Sequence, residues 1–192
     1  MTILHIDSSI TGEHSVSRQL SATALAKISA SRPEKKVVYR DLAATPLEHY
    51  RITDKPGQET QESVLSGAIL DEFLDADTVI IGAPLYNFTI SSQLKAWVDR
   101  LVIAGITFNL DNQGNSVGLV GDKRVIILLS RGSVYQPGAP WAQFEHAETY
   151  LKAIFGFIGI QPTVIVAEGT AFGPESRAKA ISAAESVIAA IS

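Results

Sequence analysis

No cysteine occurs anywhere in the 192 residues. That absence removes disulfides, thiolate nucleophiles, Cys-ligated zinc and iron–sulfur clusters together. Any redox chemistry must therefore run through a bound organic group. A cluster of basic residues is missing too. Sixteen Lys and Arg against twenty Asp and Glu leave a net charge of −4, which counts against a nucleic-acid partner. No apolar run approaches the roughly 20 residues that span a bilayer. The opening Met1-Thr2-Ile3-Leu4-His5-Ile6 enters a strand at once, with no basic n-region or cleavage site, so a cytoplasmic location is expected. The four histidines have no partners at i+2 or i+4 that would suggest a metal site. His5 reads as a satisfied core residue, His14 as a loop residue that either lies at the surface or contacts a ligand held there, and His49 and His146 as solvated. Neither Gly-x-x-x-x-Gly-Lys-Ser/Thr nor Gly-x-Gly-x-x-Gly follows a strand, which excludes a Walker-type loop and a dinucleotide fingerprint.

What is present is an ordinary globular composition, 46% hydrophobic and 19% charged. The length suits a single domain over residues 1–192, enough to bury roughly 70% of its unfolded surface. Strand and helix patterns alternate along it. Strands are expected over Ile3–Asp7, Lys36–Arg40, Thr78–Ala83, Arg124–Leu129 and Thr163–Ala167. Helices are expected over Ser17–Ser31, with Leu20, Ala24 and Ile28 on one face; over Glu59–Leu74, with Val64, Leu65, Ile69 and Phe73 inward; and over Ser91–Ile103. Two more follow at Glu145–Phe157 and Pro174–Ile191. Thr45–Gly57 reads as a loop. The segments Thr107-Phe108-Asn109 and Val117-Gly118-Leu119 flank a turn-rich tip and read as a hairpin inserted before the fourth strand. This order predicts an α/β fold: one doubly wound, five-stranded parallel sheet with helices on both faces.

In such a sheet ligands sit in the crevice beyond the carboxyl ends of the strands, and three of those ends are unusual. After the first strand comes Ser8-Ser9-Ile10-Thr11-Gly12-Glu13-His14-Ser15-Val16-Ser17. Hydroxyls and amides at a helix start suit an anion, and without a lysine they suit a permanently bound monophosphate. The same serines also read as plain loop and N-cap residues. After the third strand, Pro84-Leu85-Tyr86-Asn87-Phe88 makes a turn of amides, an Asn and two rings. It suits a flat, polar-edged, electron-accepting ring, a flavin; its alternative is a cover for the sheet edge. After the fourth, Ser130-Arg131-Gly132-Ser133 combines a glycine that permits close backbone approach with an arginine that could stabilise charge on a reduced ring, or is a strand-ending turn with a solvated Arg. The convergence of all three on one sheet edge favours the ligand.

These segments, with Ser92-Gln93-Leu94-Lys95, Arg40-Asp41-Leu42-Ala43, Ala104-Gly105-Ile106-Thr107-Phe108, Phe155-Gly156-Phe157-Ile158-Gly159 and Ala167-Glu168-Gly169, resemble the FMN-dependent NADH azoreductases across essentially the whole chain. Those are homodimeric, flavodoxin-like enzymes that also reduce quinones. The resemblance implies that Ser9 and Ser15, Val16 and Ser17 hold the FMN phosphate. It places Pro84 and Leu85 to Phe88 on the dimethylbenzene and N5 side, and Ser130 to Ser133 on the pyrimidine side. It further implies non-covalent FMN, NADH or NADPH as donor, and ping-pong hydride transfer through flavin N5 to small-molecule quinones and azo compounds. No acid–base residue of this chain is expected to be decisive. Phe108, Tyr135, Trp141 and Phe172 are expected as stacking walls for substrate, some donated by a second subunit, with core or interface packing as their rival role. A homodimer is expected through the Phe155-Gly156-Phe157 and hairpin regions. Two residues depart from the family: Leu85 stands where it often has Met, and Ser133 where it commonly has a second Gly.

Three other functions on such a fold suit the sequence less well. A flavodoxin-like electron carrier would lack a substrate pocket, and such carriers tend to be more acidic than −4. A phospho-acceptor domain needs an Asp where Gly82-Ala83-Pro84 stands. A flavin-free NAD-linked dehydrogenase lacks its glycine fingerprint.

Overall fold

The computed structural model describes residues 2–191. Its main sheet is parallel throughout and has the order β2-β1-β3-β6-β7. β1 is Thr2–Asp7, β2 Lys36–Asp41, β3 Ala76–Pro84, β6 Arg124–Ser130 and β7 Thr163–Ala167. The short β4 (Phe108–Leu110) and β5 (Ser116–Gly118) form the separate antiparallel hairpin expected before the fourth central strand. The helices are α1 (Val16–Ser31), α2 (Gln61–Asp75), α3 (Ser92–Val98), α4 (Ala147–Phe157) and α5 (Pro174–Ala189). Among the described residues no helix is long and apolar enough to cross a membrane.

Alternation along the central strands explains why both faces are covered. Leu4 and Ile6, Val79 and Ile81, and Val125, Ile127 and Leu129 point to one side, where they meet Ile69 and Phe73 of α2, Leu94 and Trp97 of α3, and Leu151 and Phe155 of α4. Ile3, Ile80, Ile126 and Leu128 point to the other, against Val16, Leu20, Ala24 and Ile28 of α1 and Ala184 and Ile188 of α5. Trp97 is fully buried and meets Phe73 edge-on at 6.1 Å; removing a side chain of that size from a core costs about 3–5 kcal/mol.

Helix starts follow side-chain chemistry. Ser15, Thr60 and Ser91 accept from the amides of Arg18, Ser63 and Leu94, and the Glu145 carboxylate accepts from the amides of Ala147 and Glu148. Several expectations are corrected. Val64 is exposed, because α2 turns Ser63 and Ser66 inward instead. α3 stops at Val98 rather than Ile103. The Thr107 hydroxyl there donates to the Leu101 carbonyl at 2.7 Å and accepts from the Ile103 amide at 2.9 Å, which holds the chain in turns. Ile52–Asp54 makes one 3-10 turn within the 45–57 loop, pinned by Arg100, which is fully buried and donates to the Glu48 carbonyl. His5 is buried but not satisfied, since its Nε2 lies 3.6 Å from Asp7 with no hydrogen-bond partner among the described residues. Phe155 belongs to the core, so it is not an interface residue, and Phe157 packs on Phe108.

Candidate active site

The chain leaves β1 toward β2 on one side and later crosses to β3 on the other, so the carboxyl ends of β1 and β3 form a switch point. Ser8 Oγ donates to the Gly82 carbonyl at 2.9 Å and joins the two ends. Beyond them Ser9 Oγ lies 3.0 Å from Thr11 Oγ1 and 3.0 Å from the Tyr86 hydroxyl, while the Ile10 amide donates to the same hydroxyl at 3.3 Å. Tyr86 thus ties the loop after β1 to the turn after β3. Ser15 Oγ caps α1 and sits 3.1 Å from Ser17 Oγ. As in any helix, the first-turn amides of Val16 and Ser17 have no intrahelical acceptor.

The turn after β3 is conformationally costly. Tyr86 and Thr89 exchange backbone hydrogen bonds at 2.8 and 3.0 Å, and the two residues between them, Asn87 and Phe88, have φ of 46° and 75°. That is the two-residue hairpin turn with both central residues left-handed, which suits Asn but not Phe. A left-handed residue costs roughly 1–2 kcal/mol, so the surroundings must hold it. The Phe88 carbonyl accepts from the His146 amide at 2.9 Å, and the Phe88 ring lies 5.1 Å from that of Phe144 and 6.1 Å, stacked, from that of Trp141.

At the end of β6, the Ser130 carbonyl accepts from the Leu85 amide at 2.8 Å, which brings the third segment beside the second. A methyl added at Gly132 would meet only Ala171 Cβ, at 3.4 Å, so the bare backbone there answers to the open side rather than to the protein. The Arg131 guanidinium turns away. It is buried among Glu145 (3.2 Å), Glu148 (2.6 Å) and Glu168 (3.5 Å), so its charge is compensated inside the protein. Burial pushes the Glu148 carboxyl up, but hydrogen bonds from Lys152 and Arg131 outweigh it and hold the group below its ordinary value.

Ser9, Ser15, Val16, Pro84, Leu85, Tyr86, Ser130 and Gly132 line one cavity of about 300 Å³. Asn87 opens onto an adjoining cavity that shares Leu85 and Tyr86. Ser17 is buried behind Ser15, and the Ser133 carbonyl accepts from the Gly169 amide. Of the four expected substrate walls, Trp141 reaches the turn after β3 through Phe88. Phe108 lies on the hairpin against Phe157, Tyr135 faces the cavity of Arg131 and Glu148, and Phe172 is exposed after β7. Thr11 and His14 of the expected anion loop also line the 300 Å³ cavity, as do Thr170 and Arg177; the last two come from the far end of the chain, where no local motif marks them. No Asp or Glu lines it, although acidic side chains outnumber basic ones in the chain as a whole.

A larger cavity, about 830 Å³, lies on the other side of β1 between α1 and β2. Its charged groups Asp7, Arg18 and Asp41 are engaged with neighbouring protein groups. Arg18 grips Asp41 through two 2.7 Å hydrogen bonds and donates to the Ser9 carbonyl, while Asp7 accepts from Ser21 at 2.7 Å and Tyr39 at 3.1 Å. This network braces the serine loop from behind. The Arg18 hydrogen bonds hold the Asp41 carboxyl down at about 2, and burial, with Asp7 beside it, pushes the Tyr39 hydroxyl up to about 12.

A dianionic phosphate with a flat ring fits the 300 Å³ cavity and its neighbour: hydroxyls and helix amides at one end, a backbone-lined turn and Gly132 at the other, and no carboxylate between them. A family model described as flavodoxin-like fold matches residues 1–191. Over 202 residues the chain is 50% identical to an FMN-dependent NADH:quinone oxidoreductase of Xanthomonas campestris pv. campestris, with 100% of this chain and 99% of that protein covered. The solved azoreductase of Bacillus anthracis str. Sterne superposes with a TM-score of 0.86 at 31% identity, over 98% of this chain and 97% of that one. An FMN-dependent NADH-azoreductase from Bacillus anthracis str. Ames Ancestor, solved in complex with FMN, superposes with a TM-score of 0.83 at 27% identity, over 98% of each chain.

Proposed function

The chain belongs to the flavodoxin-like fold family, and from that membership we propose that it is an FMN-dependent oxidoreductase that uses NAD(P)H to reduce quinones and to cleave aromatic azo compounds reductively. One observation carries the reading. The ends of β1, β3 and β6 meet at a single cavity lined by hydroxyls, backbone and an arginine, with no carboxylate to repel a phosphate.

FMN, when bound, supplies the two-electron chemistry by accepting electrons from NAD(P)H and passing them to the second substrate. The work of the chain is to bind and orient. Ser9 and Ser15, with the first-turn amides of Val16 and Ser17, hold the phosphate, assisted by the dipole of the 16-residue α1. Pro84, Leu85, Tyr86, Asn87 and Phe88 line one side of the ring, and Ser130, Gly132 and Ser133 the other. The Tyr86 hydroxyl fixes the distance between phosphate and ring sites by bonding to the serine loop. Arg131 acts as a support for α4 and for the end of β7, not as a charge facing the ring. Phe88, Trp141 and Phe144 form an apolar wall that keeps water from the reacting face.

The same wall supports a homodimer with the active site near the interface. Phe88, Trp141 and Phe144 are exposed and in mutual ring contact, and an exposed apolar patch marks a partner surface. A monomeric mass by light scattering counts against it. We place the protein in the cytoplasm, where NAD(P)H is supplied.

The test is the visible absorption spectrum of the purified protein before and after anaerobic NADH. A flavin band that bleaches with NADH and returns with a quinone establishes cofactor, donor and reaction class together. A band that NADH leaves unchanged, with negligible steady-state NADH oxidation in the presence of quinone, points instead to a flavodoxin-like electron carrier.

A further inference from the structure

A phosphate monoester carries up to two negative charges, and the loop from Ser8 to Ser17 offers hydroxyls and amides but no lysine. The nearest arginine in sequence, Arg18, is engaged by Asp41 and the Ser9 carbonyl and does not line the 300 Å³ cavity. The one arginine that does line it is Arg177, in the first turn of α5. Its Nη2 donates to the His14 carbonyl at 2.6 Å across a sequence separation of 163 residues. This bond lays the guanidinium along the serine loop and leaves the rest of the fork free, with no carboxylate in ion-pair distance among the described residues. Arg177 shares the cavity wall with Ser9, Thr11 and Ser15, the hydroxyls at its phosphate end.

We propose that Arg177 is the cationic partner of the FMN phosphate, so that α5 closes from the far end of the chain the site that the β1–α1 loop opens. The inference rests on the FMN reading above. The guanidinium offers planar paired donors suited to a phosphate, and its charge acts on the phosphate rather than on the ring. Discrimination between FMN and riboflavin, which lacks the phosphate, therefore isolates its contribution.

The experiment measures dissociation constants of FMN and of riboflavin for the apoprotein, by quenching of flavin fluorescence at low and high salt, in the parent, Arg177→Gln and Arg177→Lys. A charge-assisted hydrogen bond to a partly exposed phosphate corresponds to about tenfold in affinity. Arg177→Gln is expected to weaken FMN by about that factor, to leave riboflavin within about twofold, and to flatten the salt dependence of FMN binding. Arg177→Lys is expected to recover part of the loss by restoring the charge without the fork. Equal weakening of both flavins would reduce Arg177 to a latch on the His14 loop and overturn the proposal, as would unchanged FMN affinity in Arg177→Gln. A parent protein that binds neither flavin overturns the FMN reading itself, and the inference with it.

Discussion

Gly82 is the position at which fold and site can be disturbed together. It lies in β3 directly opposite Asp7 of β1, where the two strands part around the serine loop. A methyl group there would fall inside contact distance of Asp7 Oδ1 and would stand 3.1 Å from the Ser17 carbonyl and 3.2 Å from Ser21 Oγ. Asp7 is buried, and its Oδ1 already accepts from Ser21 at 2.7 Å. It can yield only by giving up that bond, or α1 must lift from the sheet. Overpacking costs about 1–3 kcal/mol, and a buried hydrogen bond broken without replacement costs a similar amount. The two costs overlap, so Gly82→Ala is expected to destabilise by about 3 kcal/mol. At 2–4 °C per kcal/mol for a chain of this size, that is about 6–12 °C in Tm. Because Ser17 and Ser21 belong to the first turns of α1, FMN affinity should fall with it. Gly67 in α2 is the control: an added methyl meets nothing within 4 Å, and Gly67→Ala should stabilise by about 0.5–1 kcal/mol through helix propensity. Thermal unfolding followed by circular dichroism measures both. A Gly82→Ala protein that melts within a degree or two of the parent would refute the steric argument.

Three further perturbations follow from individual contacts. Tyr86→Phe removes the hydroxyl that joins the turn after β3 to Ser9 and Ile10; FMN titration should show about three- to tenfold weaker binding with little change in Tm, and unchanged affinity would mean that the bridge does not set the spacing. Arg131→Met leaves Glu145, Glu148 and Glu168 facing one another without their shared cation. Denaturant unfolding should show a loss of about 3 kcal/mol near neutral pH, and undiminished stability would rule this account out. Asp41, whose carboxyl lies at about 2 against an ordinary 3.8, makes a contribution that is fully present above about pH 4. As pH falls, the unfolded chain takes up the proton first, so that contribution is lost between about pH 4 and 2. Asp41→Asn should flatten unfolding curves in that window and nowhere else.

The architecture was legible because it depends on periodicity. The apolar run at 78–83 is uninterrupted, as a strand covered on both faces must be, and β3 proves to be such a strand. Val64 shows the limit of that method. Hydrophobicity suggested that it faces inward, but the helical phase set by Ile69, Leu70 and Phe73 buries Ser63 and Ser66 and leaves Val64 outside. The end of α3 was misplaced because Thr107, nine residues beyond it, supplies the bonds that hold the chain in turns. Charge is the least local property of all. Arg131 follows a strand end as a ligand-facing arginine would, yet its three carboxylates lie 14 to 37 residues further on. The strand-end motifs therefore locate a site without revealing which of its charges are already compensated.

The turn at Tyr86–Thr89 joins these two levels. Its sequence marks it as a turn and its rings mark it as a ligand wall, but nothing local requires Phe88 to adopt φ 75°. The cost of that conformation, roughly 1–2 kcal/mol, is comparable to the contribution of two aromatic contacts at about 0.5–1.5 kcal/mol each. The rings of Trp141 and Phe144, with the His146 amide on the Phe88 carbonyl, are therefore sufficient to hold the strained state, and without them it would relax. The shape of this turn is thus set by a segment more than fifty residues away that also leads into α4, whose Glu148 holds Arg131. The 141–148 segment therefore bears on the turn after β3 through the ring and backbone of Phe88, and on the end of β6 through Arg131.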